Sequence, residues 1–128
     1  MTYGTALVDT IQSSTTGTPT QFQDGSGTQI GTLCRAWIQF VGSTQVKTGS
    51  FNVSSVTKNS TGNYTLTFTN ALPDTAGSII GMNEGDSGQA NRGTCGYFTS
   101  TTTALIGTFA CSTGASTDMS KISVAVFR

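Results

Sequence analysis

The sequence predicts an all-β protein, an antiparallel β-sandwich of six or seven strands preceded by an extended N-terminal arm. Three observations carry this. Strand-favouring Thr and aromatic residues abound: the 128 residues include 25 Thr, seven Phe, three Tyr and one Trp. The helix formers Glu and Lys number only one and three. Residues 64–69 alternate strictly, with Tyr64, Leu66 and Phe68 set against Thr65, Thr67 and Thr69, the period of a half-buried strand.

Residues 1–33 read as the arm. Ala6 to Ile11 has the length of one short strand, and residues 12–20 are Ser/Thr/Gly with Pro19, an extended connector. Asp24-Gly25 then separates two short alternating pieces, Gln21 to Gln23 and Ser26 to Ile30, as in a small hairpin. So few apolar groups do not fold alone, so the arm is expected to dock on a partner or intertwine with other copies.

Residues 34–128 read as the sandwich. Cys34 to Phe40 is a strand with Ala36, Ile38 and Phe40 on one face and Trp37 on the other. Ser50 to Val56 is the next, with Phe51 and Val53 sharing a face and a bulge at Ser54-Ser55 where the alternation breaks. Asn59 to Gly62 is a turn into the 64–69 strand, which Pro73 ends because proline offers no ladder donor. Gly77 to Met82 is a further strand. The polar, Gly-rich loop 83–93 follows, then a hairpin of Thr94 to Ser100 with Leu105 to Cys111, centred near Thr103. After a loop at 112–119, Lys121 to Arg128 carries apolar groups on both faces, which marks a central strand or one buried in an interface.

Composition excludes several classes of function. Six Lys+Arg balance six Asp+Glu, and only 9% of residues are charged against about 25% in average soluble domains. A neutral chain lacks the cationic surface that holds nucleic acid. Without histidine there is no Ser-His-Asp or Cys-His centre and no His-ligated metal. No apolar run approaches the ~20 residues that cross a bilayer as a helix. Met1-Thr2-Tyr3-Gly4 has neither the basic start nor the apolar stretch of a signal peptide, so synthesis in a reducing cytosol is expected. Cys34, Cys95 and Cys111 are an odd number, read as free buried thiols; Cys95 facing Cys111 across the hairpin is the one bridge the spacing permits. No Cys-x-x-Cys occurs, and no cofactor or metal is expected.

The best binding candidate is the 83–93 loop, whose Glu84, Asp86, Gln89, Asn91 and Arg92 offer the planar polar groups that recognise sugar hydroxyls. The plain alternative is a solvated loop. Asn83, Glu84 and Asp86 lack the alternating acidic pattern of a calcium loop, and six acids with one pair on a loop make poor glycosidase machinery. Trp37 is a candidate sugar-stacking platform, but apolar Ala36 and Ile38 beside it favour a core or subunit-interface role. Tyr97 and Phe98 must face opposite sides, one of them inward. Arg128 pairs with a neighbouring subunit's carboxylate or is solvated. Sequons at Asn52, Asn59 and Asn63 are expected by chance in so Thr/Ser-rich a chain.

Residues 35–40 (Arg-Ala-Trp-Ile-Gln-Phe), 52–57 (Asn-Val-Ser-Ser-Val-Thr), 61–69 (Thr-Gly-Asn-Tyr-Thr-Leu-Thr-Phe-Thr) and 71–74 (Ala-Leu-Pro-Asp), with the ending Ser123 to Arg128 and the opening Ala6 to Gln12, resemble a short domain of tail-fibre and other virion proteins of tailed bacteriophages, common in environmental and cyanobacterial phages. The likeness covers the middle third well, the two ends loosely and residues 75–120 little. Gln39 to Thr44 departs from the Asn and Gly-Thr-Gly turn of many members. The resemblance implies a virion structural protein made in the host cytoplasm, not an enzyme, and a homotrimer. It would be a tail-fibre or tail-tip module contacting the host surface, whose glycan is one possible partner, with residues 1–33 docking to other virion proteins. A capsid decoration protein is the alternative, and a free carbohydrate-binding module the second alternative.

Overall fold

A computed structural model of the chain describes residues 10–11, 22–84 and 91–128, Glu84 by its backbone alone. The fold is all-β and antiparallel, without helix among these residues. Two compact units divide between Leu33 and Cys34. The first holds a small hairpin, β1 (Phe22–Gln23) and β2 (Gln29–Gly31). The Asp24 carboxylate organises its turn by accepting from the backbone N–H of Ser26 and of Thr28, both at 2.9 Å. The strand expected at residues 6–11 falls almost wholly outside the described residues.

The second unit holds eight strands, one or two more than the sequence indicates: β3 (Cys34–Phe40), β4 (Lys47–Phe51), β5 (Val53–Ser60), β6 (Asn63–Phe68), β7 (Ser78–Glu84), β8 (Arg92–Phe98), β9 (Thr103–Ala110) and β10 (Lys121–Phe127). One sheet has the order β4-β3-β10-β7, the other β5-β6-β9-β8. Their facing sides share one core. Ala36, Ile38, Phe40, Ile122, Val124 and Val126 enter it from the first sheet. Val53, Tyr64, Leu66, Phe68, Ala104 and Ile106 enter it from the second. The alternation at 64–68 and the central place of β10 are as expected.

The extra strand comes from Asn52. It takes a left-handed φ of 56°, which Asn tolerates better than most residues, and splits the expected strand 50–56 in two. Its side chain secures the corner: Nδ2 donates to the Arg35 and Asn70 carbonyls, and Oδ1 accepts from Asn70 N–H at 2.7 Å. The chain therefore leaves one sheet after Phe51 and enters the other at Val53. Phe51 and Val53 do not share a face; Phe51 is exposed and Val53 is core. The bulge foreseen at Ser54-Ser55 is present as a register shift between Val53 and Ser55.

The cysteine expectation is also corrected. The hairpin turn lies about two residues earlier than Thr103, with Phe98 opposite Ala104, so Cys95 faces Gly107 and not Cys111. All three thiols are free, and Cys95 and Cys111 are exposed rather than buried. Phe98 packs against the core while Tyr97 is exposed, as adjacent strand residues must divide. Arg128 grips Asp74 of its own chain in a bidentate pair at 2.6 and 2.5 Å, not a neighbour's carboxylate. This holds the Asp74 carboxyl down at about 2.

The 112–120 segment is strapped to the sandwich. Thr117 N–H donates to the Thr108 carbonyl, Thr108 Oγ1 to the Thr117 carbonyl, and Gly42 N–H to the Met119 carbonyl. Asp118 is its anchor. One carboxylate oxygen accepts from the Tyr64 hydroxyl at 2.7 Å and Gly62 N–H at 2.8 Å, and the other pairs with Lys58. Burial pushes the Asp118 carboxyl up, but the bonds from Lys58, Gly62 and Tyr64 outweigh it and hold the group below its ordinary value. Burial, and then the bond to Asp118, raises the Tyr64 phenol. A folded-state carboxyl below its unfolded value stabilises the fold fully above the unfolded value and loses that effect as pH falls through the folded one. The urea midpoint should therefore decline below about pH 4, and Asp118→Asn should show a shallower decline. At neutral pH, Tyr64→Phe should cost about 2 kcal/mol in urea unfolding, and Asp118→Ala about 3 kcal/mol through the partners it strands.

Candidate functional site

The loop proposed as a tip is shorter than its sequence indicates, because β7 runs on to Glu84 and β8 begins at Arg92. Asn83 lies in the ladder opposite Ile122, and its amide donates to Thr94 Oγ1 at 2.7 Å. The Glu84 backbone pairs with Lys121. The Asn91 carbonyl accepts from Cys111 N–H, and Arg92 is half-buried opposite Ala110. Asp86 and Gln89 lie outside the described residues. The structure thus places Asn91 and Arg92 at the head of one strand and the Glu84 backbone at the end of another.

A different surface carries the chemistry. On the outer face of the first sheet, the register sets Phe51, Trp37, Ala125 and Ile80 in one row across β4, β3, β10 and β7. The next row is Gly49, Gln39, Ser123 and Met82. Trp37 is 44% exposed, Phe51 54%, Ile80 55% and Met82 72%, an unusual density of large apolar groups for one solvent face. The outer edge of the indole, Cη2 and Cζ3, approaches Gly49, where an added Cβ would come within 3.1 Å of it. A glycine on the edge strand leaves room for that ring edge. Because Trp37 leans that way, the centre of the sheet is left to the small Ala125 and Ser123, and a groove of about 410 Å³ opens between Trp37 and the Ile80–Met82 flank.

The groove is uncharged but not wholly apolar. Gln39 Nε2 donates to Ser123 Oγ at 3.2 Å, and Gln39 Oε1 accepts from Thr48 Oγ1 at 2.8 Å. These bonds fix the amide plane and leave it one N–H and one lone pair, while Ser123 retains its hydroxyl proton. Arg35 stands two residues before Trp37 on β3, outside the groove, with its Nε buried and without an acceptor. No cluster of three or more metal-ligating side chains occurs among the described residues. The three described carboxylates, Asp24, Asp74 and Asp118, are all bound into local structure.

Trp37 lies opposite the core-facing residues of its strand, as expected; its exposure excludes the core role and is compatible with the subunit-interface one. Gln39 was legible as its neighbour on one face. Gly49, Ile80, Met82 and Ser123 were not, since only strand order and register bring them together. No protein-family model matches the chain, and no curated protein or solved structure matches it either. Trp37 is the only tryptophan, so its fluorescence reports on the groove directly. Acrylamide should quench it efficiently in the native protein, and Gly49→Val should increase that quenching by lifting the ring, with stability changed by no more than about 1 kcal/mol. A native Trp37 shielded from acrylamide would contradict the open face.

Proposed function

We propose that the chain is a non-enzymatic structural component of a tailed-phage particle, a tail-fibre or tail-tip module that meets the host surface with the outer face of its β4-β3-β10-β7 sheet. The observation that carries this reading is that face. Four large, exposed apolar side chains and an ordered amide–hydroxyl set sit on a rigid sandwich, and contiguous exposed patches of this kind mark interaction surfaces. The resemblance of residues 35–74 to virion domains supplies the setting, and the absence of histidine from the sequence favours binding over catalysis. In this reading residues 1–33 dock to other virion proteins, and a homotrimer presents three copies of the face, so that weak single contacts add up through avidity.

Quantitative mass spectrometry of purified particles, with immunogold labelling, tests it. A low copy number with label at the tail is the expected result. A lattice-scale copy number on the head would replace it with capsid decoration, and absence from particles would leave a free binding module. Removing residues 1–33 should abolish incorporation while the remainder keeps its β-sheet circular dichroism; normal assembly of that variant would overturn the role given to the arm.

A further inference from the structure

We infer that the groove beside Trp37 is a saccharide subsite, in which the indole stacks against the C–H face of an uncharged pyranose while Gln39, Thr48 and Ser123 bind its hydroxyls. The inference rests on the host-contact reading above and names the ligand class of that surface.

The argument starts from the lining. A pyranose is amphipathic in a particular way: one or both faces of its ring present C–H groups, and its rim presents hydroxyls that donate and accept. The π-face of an indole carries negative charge density that attracts such C–H groups and excludes water from them. Trp37 lines the groove, and its outer edge approaches Gly49, which lines it too. At the floor, the Gln39 amide is held in a fixed plane by Thr48 and Ser123, with donor and acceptor capacity left over. No lining residue is charged, which matches a neutral ligand. The volume, about 410 Å³, lies in the range of roughly 300–1,000 Å³ that small-molecule sites occupy.

The same observations weigh against a second copy as the occupant. Sheets pack face to face when flat, interdigitating apolar surfaces approach to about 10 Å. Here the exposed Ile80 and Met82 flank the small Ser123 and Ala125, and Gln39 is hydrogen-bonded to Ser123. A covering sheet would meet the flanks first and leave the remaining polar capacity of Gln39 and Ser123 dry and unmet, which is unfavourable. A sugar inserts hydroxyls at that level.

Titration of the full-length protein with methyl glucoside, methyl galactoside, methyl mannoside and methyl rhamnoside tests the inference, followed by the Trp37 indole N–H and Gln39 side-chain amide resonances in ¹H–¹⁵N NMR. Stacking on a C–H face tolerates changes of hydroxyl configuration, so at least one glycoside should shift both resonances, with affinity in the millimolar range. Trp37→Ala and Gln39→Ala should each weaken that response by about tenfold; for Trp37→Ala it is followed at the Gln39 amide, for Gln39→Ala at the indole. Both variants should keep the wild-type thermal midpoint within a few degrees, since neither side chain belongs to the core. No shift from any of the four glycosides would overturn the inference. So would shifts confined to Asn91 and Arg92, or a concentration-dependent dimer that Trp37→Ala dissolves. Particle incorporation without a groove response would sink this inference alone; a groove response in a protein absent from particles would sink the virion reading and retain the subsite.

Discussion

The sandwich depends on how it houses one buried phenol. Tyr64 is fully buried and meets Phe40 edge to face, with ring centroids 5.2 Å apart, so it joins the two sheets through the middle of the core. A buried hydroxyl without an acceptor is costly. Asp118, from the irregular segment before β10, supplies the acceptor. Two glycines leave room for the contact. A side chain at Gly42 would strike the Tyr64 hydroxyl and the Met119 backbone, and one at Gly62, where φ is +66°, would strike the Thr108 carbonyl and Thr117. The clamp thus joins the β5–β6 turn and the 111–120 segment to the core end of the sandwich, and β10 enters the centre of its sheet from there.

The central position of β10 determines the outer face. β10 pairs with β3 on one side and β7 on the other, and its inward residues Ile122, Val124 and Val126 are large while its outward Ser123 and Ala125 are small. That asymmetry gives a full core on one side of the strand and a depression on the other. Strand β4 completes the depression because Asn52 ends it and sends the chain into the second sheet, so that Gly49 and Phe51 remain beside Trp37 on an edge strand. The groove is therefore a consequence of sandwich construction, built on strands whose opposite faces are fixed by packing. A contact surface so supported is preorganised in a way a loop is not.

The remaining described surface is polar through hydroxyls more than through charge. Thr65 and Thr67 on β6 are only half-buried, and the chain carries six charges of each sign. Near neutrality weakens the electrostatic repulsion that keeps proteins apart. Against that background the apolar groups around Trp37 are the strongest departure from a solvated face.

The alternation of Tyr64, Leu66 and Phe68, the inward face of β3 and the two-sided apolar character of β10 were legible in the sequence, because side chains on a strand point alternately and burial selects them locally. The absence of helix among the described residues was equally a matter of composition. Three things required the tertiary structure. The left-handed turn at Asn52 depends on carbonyls of Arg35 and Asn70, remote in sequence, so the split of residues 47–60 into two strands was hidden. The partner of Asp118 is set by where a loop passes the core, which no periodicity records. The groove joins residues of four strands through a register that a shift of one residue would have turned inside out. Along the regularly alternating strands β3 and β6 the sequence determined which residues face inward; only the order and register of the strands, and the corner at Asn52, decided which outward residues meet.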